Sequence, residues 1–92
     1  MKKKYKLMDE IITLGDGTVL HRIKALKSFD NVIKGDLGGW IEKEDNLSHT
    51  DNAWVYDNAC VCDDARVYGN AKVYDNACIL DGHIIDKVFL SH

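Results

Sequence analysis

The sequence predicts an all-β domain in which an N-terminal β-hairpin cap precedes a short coil of parallel strands. Three observations predict it: a six-residue repeat over residues 51–80, an Asp-Gly turn between two β-prone segments, and the lack of a long 3.6-residue apolar period. Ninety-two residues are enough for one small domain. We divide it into a hairpin cap with a Gly-rich lead-in (1–40), the repeat (41–86) and an edge strand or tail (87–92).

The first predicted element is the hairpin. Residues 11–14 and 18–26 supply its two arms, and the Asp-Gly sequence between them is a favourable turn. His21 lies on the second arm, and we interpret it as a packed strand residue rather than a ligand or a base. We expect the basic residues 2–6 to form a solvated tail.

The Gly-rich lead-in follows the hairpin. Residues 35–39 lack the Lys-Ser/Thr ending of a phosphate-binding loop, and no helical pattern follows them. We therefore expect a backbone bend that leads into the repeat. Because a solenoid must cover the apolar end of its first coil, we expect Trp40 and Ile41 to do so.

Five six-residue units make up the central repeat. Within each unit, Ala and an aliphatic residue are two positions apart, so they share one face of an extended strand. The Asp-Asn, Asp-Asp or Gly-Asn pair that opens each unit tolerates left-handed backbone angles and suits a corner. Three units close a triangle, so the chain returns to the same side about every 18 residues. The five units are 51–56, 57–62, 63–68, 69–74 and 75–80.

The repeat resembles that of the hexapeptide-repeat, left-handed parallel β-helix proteins. In that family an aliphatic residue recurs every six positions, and a small residue follows it four positions later. The Asp-Asn-Ala-x-Val-Tyr wording, preceded by residues 35–42, is similar to a narrower group, the small phage and bacterial YdcK-like proteins. The resemblance covers residues 4–86 and implies a left-handed coil of about two to two-and-a-half turns. The matching pairs are Val55 and Ala59, Val61 and Ala65, Val67 and Ala71, and Val73 and Ala77.

The resemblance also raises the hypothesis of acyl transfer. Many hexapeptide-repeat proteins are acyltransferases that use a His as base and bind acyl-CoA between neighbouring subunits of a trimer. This sequence departs from that pattern, because it has few coils, no long loop within the repeat and no C-terminal helix. If the protein is an enzyme, His49 and His83 are the catalytic candidates, although both occupy positions that should point inward. We favour a non-catalytic protein and expect no cofactor and no metal.

Two surfaces of the predicted coil are candidates for binding a partner. The first is an aromatic face, whose rings either stack on neighbouring coils or bind another protein. The second is an acidic corner, whose Asp residues either serve the turns or form a ridge for a basic partner. The aromatic face holds Trp54, Tyr56, Lys72 and Tyr74, and the acidic corner holds Asp45, Asp63, Asp64 and Asp81.

Composition and charge limit where in the cell we expect the protein and which classes of partner it can bind. No apolar run approaches the ~18 residues that a membrane span needs. The basic N-terminus lacks the apolar core of a secretory signal, so we expect a cytoplasmic protein that does not contact membranes. The net charge of −3 argues against nonspecific nucleic-acid binding.

Cys60 and Cys78 can be interpreted either as a disulfide or as free thiols. Cys60 and Cys78 should stack on adjacent coils, within the separation that a disulfide requires. Because the expected compartment is reducing, we favour free thiols. A zinc site that adds Cys62 lacks a fourth ligand and the usual Cys-x-x-Cys spacing.

The last segment is apolar for a chain end. It either folds over the end of the coil or pairs with another chain, and we favour self-association into a homo-dimer or trimer. The expected oligomer contacts are Ile84, Val88, Phe89 and Leu90.

These observations favour a protein-interaction module that binds another protein through the aromatic face or the acidic corner. A phage-type inhibitor of a host or defence enzyme is the form of this hypothesis that the resemblance suggests. An acyl-CoA-dependent transferase and a structural homo-oligomer are the alternatives.

Overall fold

The computed structural model describes residues 3–74, 77–80, 82–85 and 88–89, with residues 83–85 and 88–89 described as backbone. The regular structure of these residues is β-strand, apart from one 3₁₀ turn at Glu44–Asn46, and none of them lies in an α-helix. The all-β prediction is therefore confirmed. The strands are β1 Tyr5–Thr13, β2 Val19–Ala25, β3 Leu37–Ile41, β4 Trp54–Val55, β5 Cys60–Val61, β6 Arg66–Tyr68, β7 Lys72–Val73, β8 Cys78–Ile79, β9 His83–Ile85 and β10 Val88–Phe89.

The strands form three sheets that mix antiparallel and parallel pairing. A five-stranded sheet has the order β1-β2-β3-β5-β8, a second has the order β10-β7-β4, and β6 pairs with β9. Pairing is antiparallel between β1 and β2 and between β2 and β3. It is parallel in every other strand pair of the described residues. The hairpin and the repeat thus share one continuous sheet.

The predicted hairpin is confirmed, with a longer first arm. Strand β1 begins at Tyr5, which lies opposite Ala25, and the pairing continues to Thr13 opposite Val19. The Asp16 carboxylate accepts a hydrogen bond from the Thr18 amide at 3.0 Å and closes the turn. The expectation of a solvated tail at residues 2–6 is wrong at its centre, because Lys4 and Tyr5 are fully buried.

The Gly-rich lead-in combines the expected bend with a strand that was not expected: Gly35 lies in a turn with a φ of 98°, and Leu37–Ile41 form β3. Gly38 and Gly39 lie in β3, between β2 of the hairpin and β5 of the repeat. A Cβ atom on Gly39 would lie 2.4 Å from the Ala59 carbonyl oxygen, and one on Gly38 would lie 2.7 Å from the Val55 carbonyl oxygen. These positions are glycine because the backbone of the repeat approaches them too closely for any side chain.

Strands β4 and β5 pair with β7 and β8 in the 18-residue register that the sequence predicts. The later pairs depart from it: Arg66 lies opposite His83, 17 residues on, and Lys72 lies opposite Val88, 16 residues on. Trp54 lies opposite Lys72, and Cys60 lies opposite Cys78, which is 18 residues further along the chain. Strands β4, β5 and β6 lie in three different sheets, and β7, β8 and β9 return to those sheets in the same order. Each turn of the repeat therefore adds one strand to each sheet.

The Ala and aliphatic columns of the repeat form the main core. Their members are buried side by side, and each turn packs on the next. The corners between them need left-handed backbone angles: φ is 60° at Asp51, 54° at Asp57 and 55° at Asp63, and Gly69 has 68°. The column residues with at most 1% exposure are Ala53, Val55, Ala59, Val61, Ala65, Val67, Ala71 and Val73.

The C-terminal segment continues the repeat. Strand β9 pairs with β6, and β10 pairs with β7 as the outer strand of its sheet. Three predicted oligomer contacts, Ile84, Val88 and Phe89, lie on these strands, and their side chains and Leu90 are outside the described residues. Within the described part of the chain, no helix has the length and apolarity to cross a membrane.

Candidate functional site

An open pocket lies at one corner of the repeat, and we call it the corner pocket. Its volume is about 360 Å³, near the lower end of the range for small-ligand sites. It forms where the 3₁₀ turn and the residues after it lie beside β6. Its lining combines two carboxylates, an imidazole, a guanidinium and two hydroxyls: Glu44, Asp45, Leu47, Ser48, His49, Arg66, Val67 and Tyr68.

The floor of the corner pocket is fixed by a buried asparagine. Asn46 is fully buried, and its side-chain oxygen accepts hydrogen bonds from the amides of Glu42 (3.2 Å) and Lys43 (2.9 Å). Its amide nitrogen donates to the carbonyls of Asp63 (3.2 Å) and Ala65 (2.8 Å) on the next turn. With every donor and acceptor in use, Asn46 ties the 3₁₀ turn to the repeat.

Tyr5 of the N-terminal strand supports the pocket from beneath. Its hydroxyl donates to the carbonyl of Leu47 at 2.5 Å and lies 3.1 Å from the carbonyl of Glu44. Burial raises the pKa of this phenol, and the carboxylates of Glu44 and Asp45 raise it further. The pocket therefore depends on a segment that is about forty residues away in the sequence.

His49 lies on the pocket wall, with both ring nitrogens engaged. Its Nδ1 accepts a hydrogen bond from the Lys4 amide at 3.1 Å. The amide can only donate, so a neutral ring carries its proton on Nε2, which donates to Glu44 Oε1 at 2.7 Å. A general base must offer a free lone pair to its substrate. In this arrangement His49 has none to offer, which favours a structural role over catalysis.

Glu44 is held in its ionised form. The hydrogen bond from His49 lowers the pKa of the Glu44 carboxyl, and the Lys3 ammonium 3.1 Å from its other oxygen lowers it further. Glu44 therefore belongs to a small network that joins the N-terminus to the pocket.

Two charges of opposite sign face solvent at the pocket. Asp45 and Arg66 are exposed, and neither has an ion-pair partner within the described part of the chain. Ser48 packs over β6, where its amide donates to the Val67 carbonyl at 2.9 Å. The pocket can thus accept a charged group of either sign without breaking a contact.

The predicted aromatic face is largely covered by the N-terminal part of the chain. Trp54 has 1% exposure, and its ring meets the edges of Phe29 and Tyr5 at centroid distances of 5.3 and 6.2 Å. The prediction that this ring is exposed is wrong, because the loop after the hairpin folds over it. Trp54 cannot contact a partner in this structure.

The rest of the aromatic face shows the predicted stacking. The rings of Tyr56 and Tyr74 lie 4.4 Å apart at an angle of 18°. The Tyr56 hydroxyl donates to the side chain of Asn31 at 2.8 Å, and Lys72 forms an ion pair with Asp30. Tyr56, Lys72 and Tyr74 are half-buried. Tyr56 and Lys72 contact this chain's own loop, Tyr74 stacks on Tyr56, and a role of these residues in partner binding stays a prediction.

Three residues of the acidic corner, Asp45, Asp63 and Asp64, lie within the described part of the chain, and all three are exposed. Asp63 occupies a left-handed position, which explains its residue type without a ligand. Asp63 and Asp64 face solvent beside Asp45 and the 3₁₀ turn, as the Asn46 bond to the Asp63 carbonyl shows. Asp81 lies outside the described residues, and the strand of His83 is described but its side chain is not.

A disulfide corrects the prediction of free thiols. Cys60 and Cys78 are bonded, with their Cα atoms 4.7 Å apart, and Cys62 is free and buried. The 18-residue spacing predicts the pairing of Cys60 with Cys78 correctly. The expectation of a reducing compartment is what favoured free thiols. No group of three or more His, Cys, Asp or Glu side chains in the described residues is arranged to hold a metal ion.

Several residues that line the pocket or support its lining were not among the predicted site residues. The 18-residue rule places Ser48 above Arg66 and so brings their two segments together. In the structure Leu47 forms the bridge to Val67, so the register differs from the rule by two residues. Glu44, Tyr5 and Lys4 lie outside the regular units, and no local pattern connects them. Lys4 is the clearest case: its buried ammonium donates to the Ala53 carbonyl at 2.6 Å.

Comparison with known proteins gives one distant similarity and no family assignment. No family model matches the chain. Over 61 residues the chain is 38% identical to the protein named uncharacterized acetyltransferase YdcK of Escherichia coli (strain K12), and the match covers 59% of this chain. The chain spans only 19% of that protein's length. The similarity agrees with the resemblance seen in the repeat.

Proposed function

We propose that this chain is a non-catalytic protein-interaction module, built on a short left-handed β-helix of the hexapeptide-repeat type. Two observations support this architecture. Successive strands of the repeat belong to the three sheets in turn, and part of the chain is similar to YdcK. The handedness is tested by an experimental structure, in which a right-handed coil would contradict it.

The corner pocket is the proposed binding site. One observation carries the proposal: His49, the catalytic candidate in the pocket, has both ring nitrogens bonded within the protein. Asp45 and Arg66 beside it are exposed charges without partners in the described part of the chain. A site with charges but no available base is suited to binding rather than to turnover.

The partner is a protein surface with a basic group opposite Asp45, Asp63 and Asp64 and a carboxylate opposite Arg66. Three exposed carboxylates on one corner, in a chain of net charge −3, favour a mainly basic partner. Arg is preferred over Lys for pairing with a carboxylate, because its planar fork forms two parallel hydrogen bonds. Such contacts should weaken as salt concentration rises.

The test compares immobilised variants in a quantitative pull-down from cell lysate. Asp45→Asn with Asp64→Asn should lose the protein that the wild type retains, and Arg66→Gln should lose it as well. The matched controls are Asp9→Asn with Asp57→Asn, and Lys34→Gln, which make the same charge changes at exposed positions outside the pocket. A protein retained equally by all variants would contradict the pocket as its binding site.

Acyl transfer is the second candidate, favoured by the name of the similar protein. In this case His49 would have to leave the Lys4 amide and present Nδ1 to an acceptor, with Glu44 holding Nε2. Release of free CoA from acetyl-CoA, measured with a thiol reagent, tests it. Turnover that His49→Asn abolishes and His21→Asn leaves intact would overturn the non-catalytic proposal.

A further inference from the structure

The disulfide between Cys60 and Cys78 joins two strands at one edge of the five-stranded sheet. Cys60 on β5 lies directly opposite Cys78 on β8, and β8 is the outermost strand. The bond closes a loop over a sequence separation of 18 residues, which contains β6 and β7. It therefore ties one full turn of the repeat to the turn before it.

The surroundings distinguish these two cysteines from the third. Cys78 is exposed and Cys60 is partly exposed, so reagents in solution can reach the pair. Cys62 is buried against Leu20 and Trp40. Burial raises the pKa of the Cys62 thiol, and the nearby carboxylate of Asp63 adds to this effect. A buried, protonated thiol is a poor nucleophile.

We propose that Cys60 and Cys78 are a redox-active dithiol site, which exchanges with low-molecular-weight disulfides and thiols of the glutathione type. The proposal does not rest on the corner pocket or on the interaction function. Closing the bond fixes β8 to the sheet, and opening it releases β8. A solvent-accessible disulfide is more readily reduced than a buried one, and accessible disulfides include the labile, regulatory bonds.

The oxidation proceeds in two exchange steps. The thiolate of Cys78, the more exposed of the two, attacks one sulfur of the small disulfide, and its sulfur–sulfur bond breaks to release one thiolate. The Cys60 thiolate then attacks the Cys78 sulfur and displaces the second small thiolate. The dithiol loses two electrons and two protons, and the small disulfide gains both to become two thiols. Reduction by the small thiol runs the same steps in reverse.

Opening the disulfide should loosen β8, because β8 is an edge strand with a short pairing to β5. The pairing of β5 with β8 comprises two residues on each strand. The Cys60 amide donates to the Ala77 carbonyl at 2.9 Å, and the Cys62 amide donates to the Ile79 carbonyl at 3.0 Å. These two amides therefore report whether β8 is in place. Without the disulfide, local opening of an edge strand this short should be frequent.

The first experiment incubates the full chain in glutathione buffers of increasing oxidised fraction, followed by alkylation and mass spectrometry. The wild type and Cys62→Ser should both form the Cys60–Cys78 bond and lose both alkylation sites there, and in the wild type Cys62 should stay reduced. Accumulation of single glutathione adducts without the internal bond, or no reaction at Cys78, would overturn the proposal.

The second experiment measures amide hydrogen exchange in the oxidised and reduced states. Exchange at the amides of Cys60 and Cys62 should become about tenfold faster on reduction. The amides of Trp54 and Tyr56, which bond to β7 carbonyls or their neighbours, are the internal control and should change little. Cys78→Ser should show the faster exchange in every buffer. Equal exchange in both states of the wild type would show that the bond does not control β8.

Discussion

The imidazole of His49 lies flat on the phenol ring of Tyr5, with ring centroids 4.1 Å apart and planes at 10°. The same imidazole accepts a hydrogen bond from the backbone amide of Lys4. The N-terminal strand and the first corner of the repeat are therefore joined through one side chain. This arrangement explains why a histidine stands where the repeat expects an aliphatic residue.

Replacement of His49 by Ala should destabilise the fold by about 2–3 kcal/mol, because the buried Lys4 amide loses its acceptor and Tyr5 loses its stacking partner. Urea denaturation followed by circular dichroism measures the loss. His49→Asn, which can keep an acceptor near Nδ1, should recover part of it. His21→Ala is the matched control, since His21 has a single ring contact at 3.2 Å to the Met8 carbonyl. A loss for His49→Ala no larger than the control would contradict a structural role.

The close approach of β3 to the repeat makes a second prediction. Gly39→Ala places a Cβ atom 2.4 Å from the Ala59 carbonyl oxygen and 2.7 Å from Val55. Overpacking against backbone should cost about 3 kcal/mol or more. Thermal unfolding of Gly39→Ala and Gly15→Ala is compared, because a Cβ atom on Gly15 meets nothing within 4 Å. Equal stability of the two variants would show that β3 does not pack as described.

The regular part of the fold follows from local pattern, and the covered surfaces do not. The columns typified by Ala59 and Val61 are predictable because position within a six-residue unit decides which way a side chain points. The same rule places Trp54 on the outer face, and it does lie there in register with Lys72. The rule cannot say that Phe29 and Tyr5 fold over the ring, since that contact joins distant segments.

The candidate site was only partly predictable for the same reason. Asp45 and His49 were selected because they stand at repeat positions, and both line the corner pocket. Arg66 and Ser48 could have been added from their 18-residue spacing. Tyr5 could not, because the basic composition around it indicates a solvated tail. The pairing of Cys60 with Cys78 was predictable from register, whereas its oxidation state depends on the surrounding redox conditions.

The left-handed corners make a third prediction. Asp57 has a φ of 54°, an angle that Gly adopts freely and β-branched residues adopt at a cost of about 1–2 kcal/mol. Asp57→Gly should therefore change stability by less than about 0.5 kcal/mol, whereas Asp57→Val should lower it by the larger amount. Asp64, which is exposed and has no positive φ, supplies the matched pair Asp64→Gly and Asp64→Val. At this position Val should not be more destabilising than Gly for reasons of backbone angle. Equal effects of Val at the two positions would mean that the corner is not left-handed in solution.

The buried ammonium of Lys4 makes the fold sensitive to alkaline pH. Burial lowers the pKa of Lys4 from 10.5 to about 8, and the charges of Lys27 and Lys72 act in the same direction as burial. Between about pH 8 and 10.5 the unfolded chain binds more protons at this group than the folded chain does, so the Lys4 contribution to stability rises with pH. This gain in stability is complete above pH 10.5, the pKa of Lys4 in the unfolded chain, and it is lost as the pH falls to about 8, the pKa in the folded chain.

Lys4→Met removes this titration. Tyr5 and Tyr56 have raised pKa values through burial, so their contribution to stability falls above about pH 10 in both proteins and cancels in the comparison. The free energy of unfolding of wild type minus Lys4→Met should increase by about 3 kcal/mol between pH 7.5 and 10.5. The variant also loses the hydrogen bond to the Ala53 carbonyl. This loss changes the difference in the free energy of unfolding by the same amount at every pH, so it does not alter how that difference depends on pH. Lys34→Met, at an exposed position, controls for the loss of a surface charge. A difference for Lys4→Met that stays constant over this pH range would mean that the Lys4 ammonium is solvated.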